Sequence, residues 1–340
     1  MLRFRRFILL LTVLVQSGFY QQTLASSSET AVTPEIPGET AVSADQEAAV
    51  WLQKMDRAVS LENYEGTFTY SRDAQFNTVH IVHRNKDGRE RGRMFYLNGE
   101  PKEILTVDDE STCQHLNSEH VQFDHEFTPK PFSKAFSESL ASSPHFYRFQ
   151  MLGRERFVGR PTVVVGVSPT TNDRVGYKLW LDEDTGLLLQ SHLVYRGRPL
   201  EVFRFTRIAI GGEIPDDNLL STMAGDVVTH PLAQPTLEVA KEEQPTNEPA
   251  WKASWLPSGF QQILRPASNR VSYSDGIAAI SIIVERVAIS ADGEMVVARQ
   301  GGTVLLSRRL KGSDQQVTVV GEVPVETAKK IAESVKPIIY

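Results

Sequence analysis

The sequence predicts an α+β protein with two antiparallel sheets. The first is a large, curved, open, barrel-like sheet with helices, and the second is a smaller sheet packed on a C-terminal helix. Short segments with alternating apolar and polar residues recur over residues 64–208 and 260–320, which is typical of strands with one buried face. Helical apolar spacing occurs near residues 45–59, 132–140 and 325–335, and a Pro/Glu-rich segment separates the two sets of strands.

The first 25 residues have the organisation of a secretory signal peptide. Arg3, Arg5 and Arg6 precede an apolar run from Phe7 to Val15, and small residues suited to cleavage end at Ala25. The apolar run is shorter than the ~20 residues that a spanning helix requires. We therefore expect an exported, periplasmic chain that does not span the membrane once it is processed, with cleavage near Ala25.

Residues 26–44 are rich in Ser, Thr and Pro without periodicity, which predicts a flexible leader, and residues 45–212 are predicted to form the first domain. A helix begins near Asp45, because Ala48, Leu52, Met55 and Val59 share one helical face. A meander of antiparallel strands follows, with turns such as Asp87-Gly88. The predicted strands are 64–72, 76–84, 89–97, 104–107, 111–115, 121–123, 146–152, 162–167, 177–182, 187–195 and 200–208, with a helix at 129–143.

Residues 213–250 are predicted to be a linker, because several prolines and the run Lys241-Glu242-Glu243 deny them a core. The second domain, residues 251–340, opens with Trp255-Leu256-Pro257-Ser258-Gly259-Phe260. The Pro-Ser-Gly sequence favours a tight turn, and Trp255 and Phe260 are predicted to anchor it in a core. Six short strands and a helix from about Val325 complete this domain.

Charge and composition exclude some classes of function. The 340-residue chain has a formal net charge of −6, whereas nucleic-acid binders usually carry a basic surplus. Cys113 is the single cysteine, so no internal disulfide can form, and a buried apolar role is favoured over an intermolecular bridge.

Motifs of catalysis and metal binding are missing from the sequence. It contains no Gly-rich phosphate loop, no G-x-S-x-G elbow and no H-E-x-x-H. His80 and His83 stand three residues apart on a predicted strand and therefore point to opposite faces. The sequence thus predicts a protein that is not an enzyme, with no cofactor, no metal site and no catalytic residue.

Two groups of residues are candidates for binding a lipid. Phe68 and Tyr70, with Val79 and Ile81, are predicted to line the inner wall of the barrel, where acyl chains could be admitted.

The second group is Arg89, Arg91 and Arg93, which alternate on one strand and share a face, so they could bind anionic phosphate groups. The alternative for these arginines is a solvated outer face or a guarded sheet edge.

Seven segments of the two domains carry a resemblance to a known family. In the second domain they are 255–260, 273–277 and 320–333, whose sequences are WLPSGF, YSDGI and VGEVPVETAKKIAE. In the first domain they are 51–55, 64–68, 97–103 and 177–182, whose sequences are WLQKM, YEGTF, LNGEPKE and YKLWLD. In these segments both domains resemble the RseB/MucB family of periplasmic regulators of the sigma-E-type envelope stress response.

The resemblance implies a first domain similar to the lipoprotein carriers LolA and LolB. It also implies a second domain that binds the periplasmic domain of a membrane anti-sigma factor (RseA or MucA). It implies that such binding shields the anti-sigma factor from regulated proteolysis and that lipopolysaccharide weakens this binding. Tyr273, Asp275 and Ile277, on a turn and strand of the second domain, are the residues that we expect to contact this partner. A plain hairpin is the alternative for them. A lipid or lipoprotein carrier is the alternative function, and the sequence leaves homo-oligomerisation open.

Overall fold

A computed structural model describes residues 44–108, 110–116, 145–231, 251–263, 269–287, 295–310 and 314–337. The predicted signal peptide, nearly all of the leader, the strand 121–123 and the helix 129–143 lie outside the described residues.

The first domain is built on an open antiparallel sheet of eleven strands, which confirms the predicted fold class. Among the described residues the strand order is β11-β5-β4-β3-β2-β1-β10-β9-β8-β7-β6, so β11 and β6 are the outermost of these strands. The strands are β1 (Tyr64–Arg72), β2 (Gln75–Lys86), β3 (Arg89–Tyr96), β4 (Lys102–Val107), β5 (Glu110–Leu116), β6 (Tyr147–Phe157), β7 (Arg160–Pro169), β8 (Gly176–Asp182), β9 (Leu188–Tyr195), β10 (Arg198–Ile210) and β11 (Val227–Pro231).

Strand β1 lies at the middle of this sheet, paired with β2 on one side and β10 on the other. Its apolar side chains alternate with polar ones, so one face of the sheet is apolar. The rings of Phe68, Phe203 and Phe205 meet on this face at centroid distances of 4.9–5.8 Å.

The first helix, α1 (Ala44–Leu61), covers this apolar face. Ala48, Leu52 and Met55 are fully buried and Val59 is 3% exposed, as their spacing on one helical face predicts. Cys113 is also buried, in agreement with the prediction of an apolar role.

The start of the predicted linker belongs to the first domain, so the prediction of a linker from residue 213 is wrong for residues 213–231. A short 3₁₀-helix (Asp216–Leu219) follows β10, and Ile214 and Leu219 pack with Val82. Strand β11 then pairs with β5. Pro231, one of the prolines on which the linker prediction rested, ends an edge strand, where its missing N–H is tolerated.

The second domain is a six-stranded antiparallel sheet in the order β13-β14-β15-β18-β17-β16, with helix α2 (Val325–Ser334) packed on one face. A two-stranded ribbon joins β12 to β19. The strands of this domain are β12 (Trp251–Ala253), β13 (Gln261–Gln262), β14 (Arg270–Ser274), β15 (Ala279–Arg286), β16 (Val296–Gln300), β17 (Thr303–Arg309), β18 (Gln315–Gly321) and β19 (Val335–Pro337).

Within the described ranges, neither helix is both long and apolar enough to cross a membrane.

Candidate functional site at the domain interface

The turn that opens the second domain also contacts the first domain. Phe260 is buried in the core of the second domain and Trp255 packs against that core, as predicted. Gly259 has a φ of +89°, and a Cβ at this position would lie 2.2 Å from the ring of Phe146 in the first domain. Only glycine therefore suits both the turn and this close approach.

Arg174, in the loop between β7 and β8, ties the first domain to this turn. Its side chain is 1% exposed and its guanidinium makes three hydrogen bonds. Nη1 donates to Asp275 Oδ2 at 2.7 Å, Nη2 to the backbone oxygen of Ser258 at 2.7 Å, and Nε to Asp173 Oδ1 at 3.0 Å. Two of these acceptors belong to the second domain, so the hydrogen bonds of Arg174 join the two domains directly.

Asp275 is the counterpart of Arg174 in the second domain and is 3% exposed. Its Oδ1 accepts the backbone N–H groups of Ile277 and Ala278 at 3.0 and 2.8 Å, which closes the turn after β14. Its Oδ2 accepts the hydroxyl of Tyr147 at 2.9 Å in addition to Arg174. Burial, and then the charge of Asp275, raise the pKa of Tyr147 well above its ordinary value, so the tyrosine remains a hydrogen-bond donor.

Aromatic rings from both domains surround the guanidinium of Arg174. The rings of Phe146, Tyr147 and Phe260 have centroids 5.0, 5.6 and 5.4 Å from its central carbon. Cation–π attraction of this kind adds about 2 kcal/mol or more when the cation is desolvated. The arrangement supplies a buried charge with both hydrogen-bond acceptors and polarisable surroundings.

The turn between β16 and β17 makes a second contact with the first domain. The N–H of Gly301 donates to Asp73 Oδ2 at 2.6 Å, and the N–H of Gly302 donates to Glu201 Oε1 at 2.9 Å. A Cβ on Gly301 would lie 2.4 Å from both Arg72 Cγ and Glu201 Oε1. We call this contact, together with the Tyr147–Arg174–Ser258–Asp275 network, the domain interface.

The predicted partner-contact residues occupy three different environments. Asp275 lies buried in the domain interface. Tyr273 is half-buried against the core of the second domain, whereas Ile277 packs against the core of the first. In this arrangement Asp275 and Ile277 hold the two domains together, whereas Tyr273 packs within the second domain.

The predicted lipid-contact residues do lie on the inner wall of the first sheet. Phe68, Val79 and Ile81 are 2–4% exposed, within a core that α1 also enters. Tyr70 lies at the border of this core, where its hydroxyl donates a hydrogen bond to Glu201. The wall is therefore apolar as expected, and it is filled by the protein's own side chains.

The three arginines of β3 differ in their surroundings. Arg89 is exposed, and Arg91 lies 3.7 Å from the exposed carboxylate of Asp216. Arg93 is buried and donates to Glu103 at 2.8 Å, so it is the least available of the three to an external phosphate. Although burial alone would raise the pKa of Glu103, its hydrogen bonds, first among them that from Arg93, lower it overall.

His80 and His83 are engaged separately. His80 Nε2 lies 3.2 Å from Glu65, while His83 stacks on Tyr64 and its Nε2 lies 3.3 Å from Glu90. Among the residues that the structure describes, no three His, Cys, Asp or Glu side chains come together as a metal site.

Arg174 and Tyr147 of the domain interface could not be identified from the sequence. Arg174 follows Thr-Thr-Asn-Asp in what reads as an ordinary polar loop, and Tyr147 stands at the start of a strand. Asp275, the partner that they share, is 101 residues from Arg174 and 128 residues from Tyr147. The only local indication was the Ser-Asp-Gly turn itself, which predicts a hairpin and not an interdomain ion pair.

Sequence comparison connects both domains to one family. The profile of the MucB/RseB N-terminal domain matches residues 47–223, and that of the MucB/RseB C-terminal domain matches residues 245–336. The chain belongs to the MucB/RseB family. It is 34% identical to the sigma factor AlgU regulatory protein MucB of Pseudomonas aeruginosa over 86% of this chain and 91% of that protein.

Solved structures of MucB share this two-domain architecture. A crystal structure of MucB in complex with MucA(peri) is 31% identical, covers 86% of this chain and 100% of that one, and has a TM-score of 0.66. A crystal structure of MucB alone, 28% identical, covers 86% of this chain and 98% of that one, with a TM-score of 0.54. The coverage is nearly the same, so this chain superposes better on MucB in the complex than on MucB alone.

Proposed function

We propose that this protein is a periplasmic negative regulator of a sigma-E-type envelope stress response. In this role it binds the periplasmic domain of a membrane anti-sigma factor similar to MucA or RseA and shields it from regulated proteolysis. The main support is the similarity to MucB in complex with MucA(peri), which extends over both domains with a TM-score of 0.66. The relative is named a regulatory protein, which also agrees with a binding role. The domain interface agrees with it as well, because its hydrogen bonds and packing serve to hold two domains together.

The location follows from the N-terminal sequence. A basic segment at Arg3, Arg5 and Arg6 followed by a short apolar run is typical of an export signal, so we propose that the chain acts in the periplasm after cleavage near Ala25. There it would meet the periplasmic part of an inner-membrane protein.

Asp275 and Ile277 are proposed to act on the partner by positioning the second domain, whereas Tyr273 remains a proposed direct contact. Asp275 cannot reach a partner directly while it accepts hydrogen bonds from Arg174 and Tyr147. Its proposed contribution is to keep both domains in the arrangement that the partner binds. Loss of this carboxylate should then weaken partner binding without removing any partner contact.

Release by lipopolysaccharide is a further part of the proposal. An acyl chain could reach Phe68, Val79 and Ile81 only if α1 or its neighbours moved, because these side chains are already packed. Arg89 and Arg91, at the exposed part of β3, could meet the phosphate groups of such a ligand. A ligand that also moves Tyr70, which borders this core and donates to Glu201 at the domain interface, would disturb the domain arrangement.

A proteolysis assay tests the regulatory function. The mature protein is mixed with the periplasmic segment of the matching anti-sigma factor and the site-one protease. We expect cleavage to slow at stoichiometric protein and to resume when lipopolysaccharide is added. Unchanged cleavage at stoichiometric protein contradicts the regulatory function, whereas protection that lipopolysaccharide does not reverse contradicts only the release step.

Two variants test the role of the domain interface in the same assay. Asp275→Asn removes the charge that Arg174 requires and should reduce protection. Asp314→Asn, at an exposed position 3.8 Å from Arg286, is the matched control and should protect like the wild type. If both variants protect fully, the domain interface does not position the partner site.

A lipid or lipoprotein carrier is the competing function. A carrier would use the first domain and would have no need of a second domain tied to it by a buried ion pair. Binding of lipid without any effect on cleavage of the anti-sigma factor would favour the carrier.

A further inference from the structure

Cationic side chains crowd one face of the hairpin formed by β2 and β3. Arg84 of β2 is paired in register with Arg91 of β3, and Lys86 and Arg89 form the next pair towards the turn. Residues two apart on a strand share a face, so all four cations lie on the same side of the sheet. Like charges directly opposite each other destabilise a sheet, and an anion bound here would relieve their repulsion.

The protein supplies an anion of its own at this place, the carboxylate of Asp216. Its Oδ1 accepts a hydrogen bond from Nη2 of Arg84 at 2.6 Å and lies 3.7 Å from Nη1 of Arg91. The hydrogen bond and charge of Arg84, and then the charges of Arg91 and Lys86, lower the pKa of Asp216. A single carboxylate is therefore shared by two guanidinium groups on a strongly cationic face.

Arg84 is fixed in place independently of this carboxylate. Its side chain is 12% exposed, and its Nη1 donates to the backbone oxygen of Ile214 at 2.8 Å. Ile214 is itself anchored, because it packs with Leu219 and Val82 in a buried cluster. The side chain of Asp216, in contrast, is 73% exposed, so it can turn away into solvent while Arg84 keeps its position.

A phosphate monoester suits these donors better than a carboxylate does. Its dianion carries more charge and has three acceptor oxygens, so it can accept hydrogen bonds from Arg84 and Arg91 at the same time. The side chain of Arg91 is 38% exposed, and Lys86 and Arg89 are exposed as well, which leaves the face open to a ligand.

We propose that Arg84 and Arg91 form a binding site for a phosphate monoester, and that Asp216 occupies this site in the absence of the ligand. The phosphate group displaces the carboxylate and takes over its hydrogen bond from Arg84, while Lys86 and Arg89 add attraction over a longer distance. The site rests on the proposed release step only for its biological role, because binding itself involves this chain alone.

Titration with inorganic phosphate at about pH 8, where the dianion dominates, tests the site on the mature chain. The backbone amide NMR signals of Arg84 and Arg91 should shift with added phosphate, and sodium chloride should weaken the response because it screens the charges. The signal of Arg156, at an exposed position of β6, should not shift and serves as the internal reference. No partner or protease is present, so a negative result contradicts the site without touching the regulatory function.

Matched variants assign the binding to these residues. Asp216→Asn removes the internal competitor and should bind phosphate about threefold more tightly. Asp217→Asn, the exposed neighbour, changes the net charge equally and should bind like the wild type. Arg91→Gln should weaken binding by about threefold to tenfold, whereas Arg156→Gln should leave it unchanged.

Vesicles distinguish a lipid headgroup from a free phosphate ester. The mature chain is sedimented with phosphatidylcholine vesicles that either contain or lack phosphatidic acid, whose headgroup is a phosphate monoester. Cosedimentation that requires phosphatidic acid and is reduced in Arg91→Gln assigns the site to a lipid headgroup. Binding of inorganic phosphate without cosedimentation assigns it to a free ester.

The site is overturned if phosphate leaves the signals of Arg84 and Arg91 unchanged, or if Arg91→Gln binds phosphate like the wild type. Equal affinity of Asp216→Asn and Asp217→Asn for phosphate would show that the ligand does not displace Asp216, which also contradicts the proposal. The variants change exposed or half-buried side chains and should therefore fold, and the dispersion of their amide signals verifies it.

Discussion

The interior of the first sheet and the domain interface both exclude water, but they are built from opposite chemistry. The interior consists of apolar side chains from α1 and the strands, such as Leu52 and Phe68, whose attraction depends on area and hardly on direction. The domain interface depends on Arg174 and Asp275, both at most 1% exposed in their side chains, whose hydrogen bonds require one geometry. The interior therefore supplies stability, and the domain interface supplies one defined arrangement of two domains.

Removing one partner of the buried ion pair should give the largest effect. Asp275→Ala leaves Arg174 buried without its main counter-charge, which typically costs about 3–5 kcal/mol. Urea unfolding of the mature protein measures the loss. Asp314→Ala, at the exposed pair with Arg286, is the control and should cost less than about 1 kcal/mol. Equal losses of unfolding free energy in the two variants would show that the buried pair stabilises the protein no more than the exposed pair does.

Truncation inside the apolar core should be nearly as costly but local in its effect. Leu52→Ala removes a fully buried side chain from α1 and should lower the free energy of unfolding by about 3 kcal/mol. Val50→Ala, on the exposed side of the same helix at 57% exposure, should change it by less than about 0.5 kcal/mol. Protection of the Gly301 and Gly302 amides from hydrogen exchange should stay as in the wild type. A loss of this protection would mean that the interior of the first sheet and the domain interface are not independent.

The same difference explains which features the sequence predicts. The face of α1 and the strand Tyr64–Arg72 follow from a period of 3.6 or 2 residues, because burial of one face imposes that period on the chain. The ion pair of Arg174 with Asp275 imposes no period, since one residue from each of two distant loops suffices. The linker prediction failed over residues 213–231 for a related reason. Two apolar residues, Ile214 and Leu219, and the pairing of β11 with β5 attach that segment, and these contacts leave no long periodic pattern in the sequence.

Steric fit at the turn of the second contact should have an intermediate effect. Gly301→Ala adds a Cβ that would lie 2.4 Å from Arg72 and Glu201 at a φ of +57°, so we expect a loss of about 2 kcal/mol and weaker contact between the domains. Gly88→Ala has the same kind of backbone, with a φ of +79°, but nothing lies within 4 Å of the added atom. It should cost only about 1 kcal/mol of backbone strain. Equal unfolding losses would mean that backbone conformation alone explains the glycine at position 301.

The smallest effect near neutral pH should be the pH dependence of the first sheet. Burial would raise the pKa values of Glu103 and Asp182 in the first sheet, but hydrogen bonds, led by those from Arg93 and Arg160, lower both overall. Groups with a lowered pKa stabilise the sheet above their unfolded-state pKa, near 4, and lose that contribution as the pH falls below it. Exchange protection of β4, corrected for intrinsic rates, should therefore change by less than about 0.5 kcal/mol between pH 7.5 and 5.5 and fall only below about pH 4. Glu103→Gln, which cannot titrate, should weaken that acid response of β4, whereas Glu333→Gln, at an exposed position of α2, should leave it intact. An unchanged acid response in Glu103→Gln would show that this carboxylate is not its source.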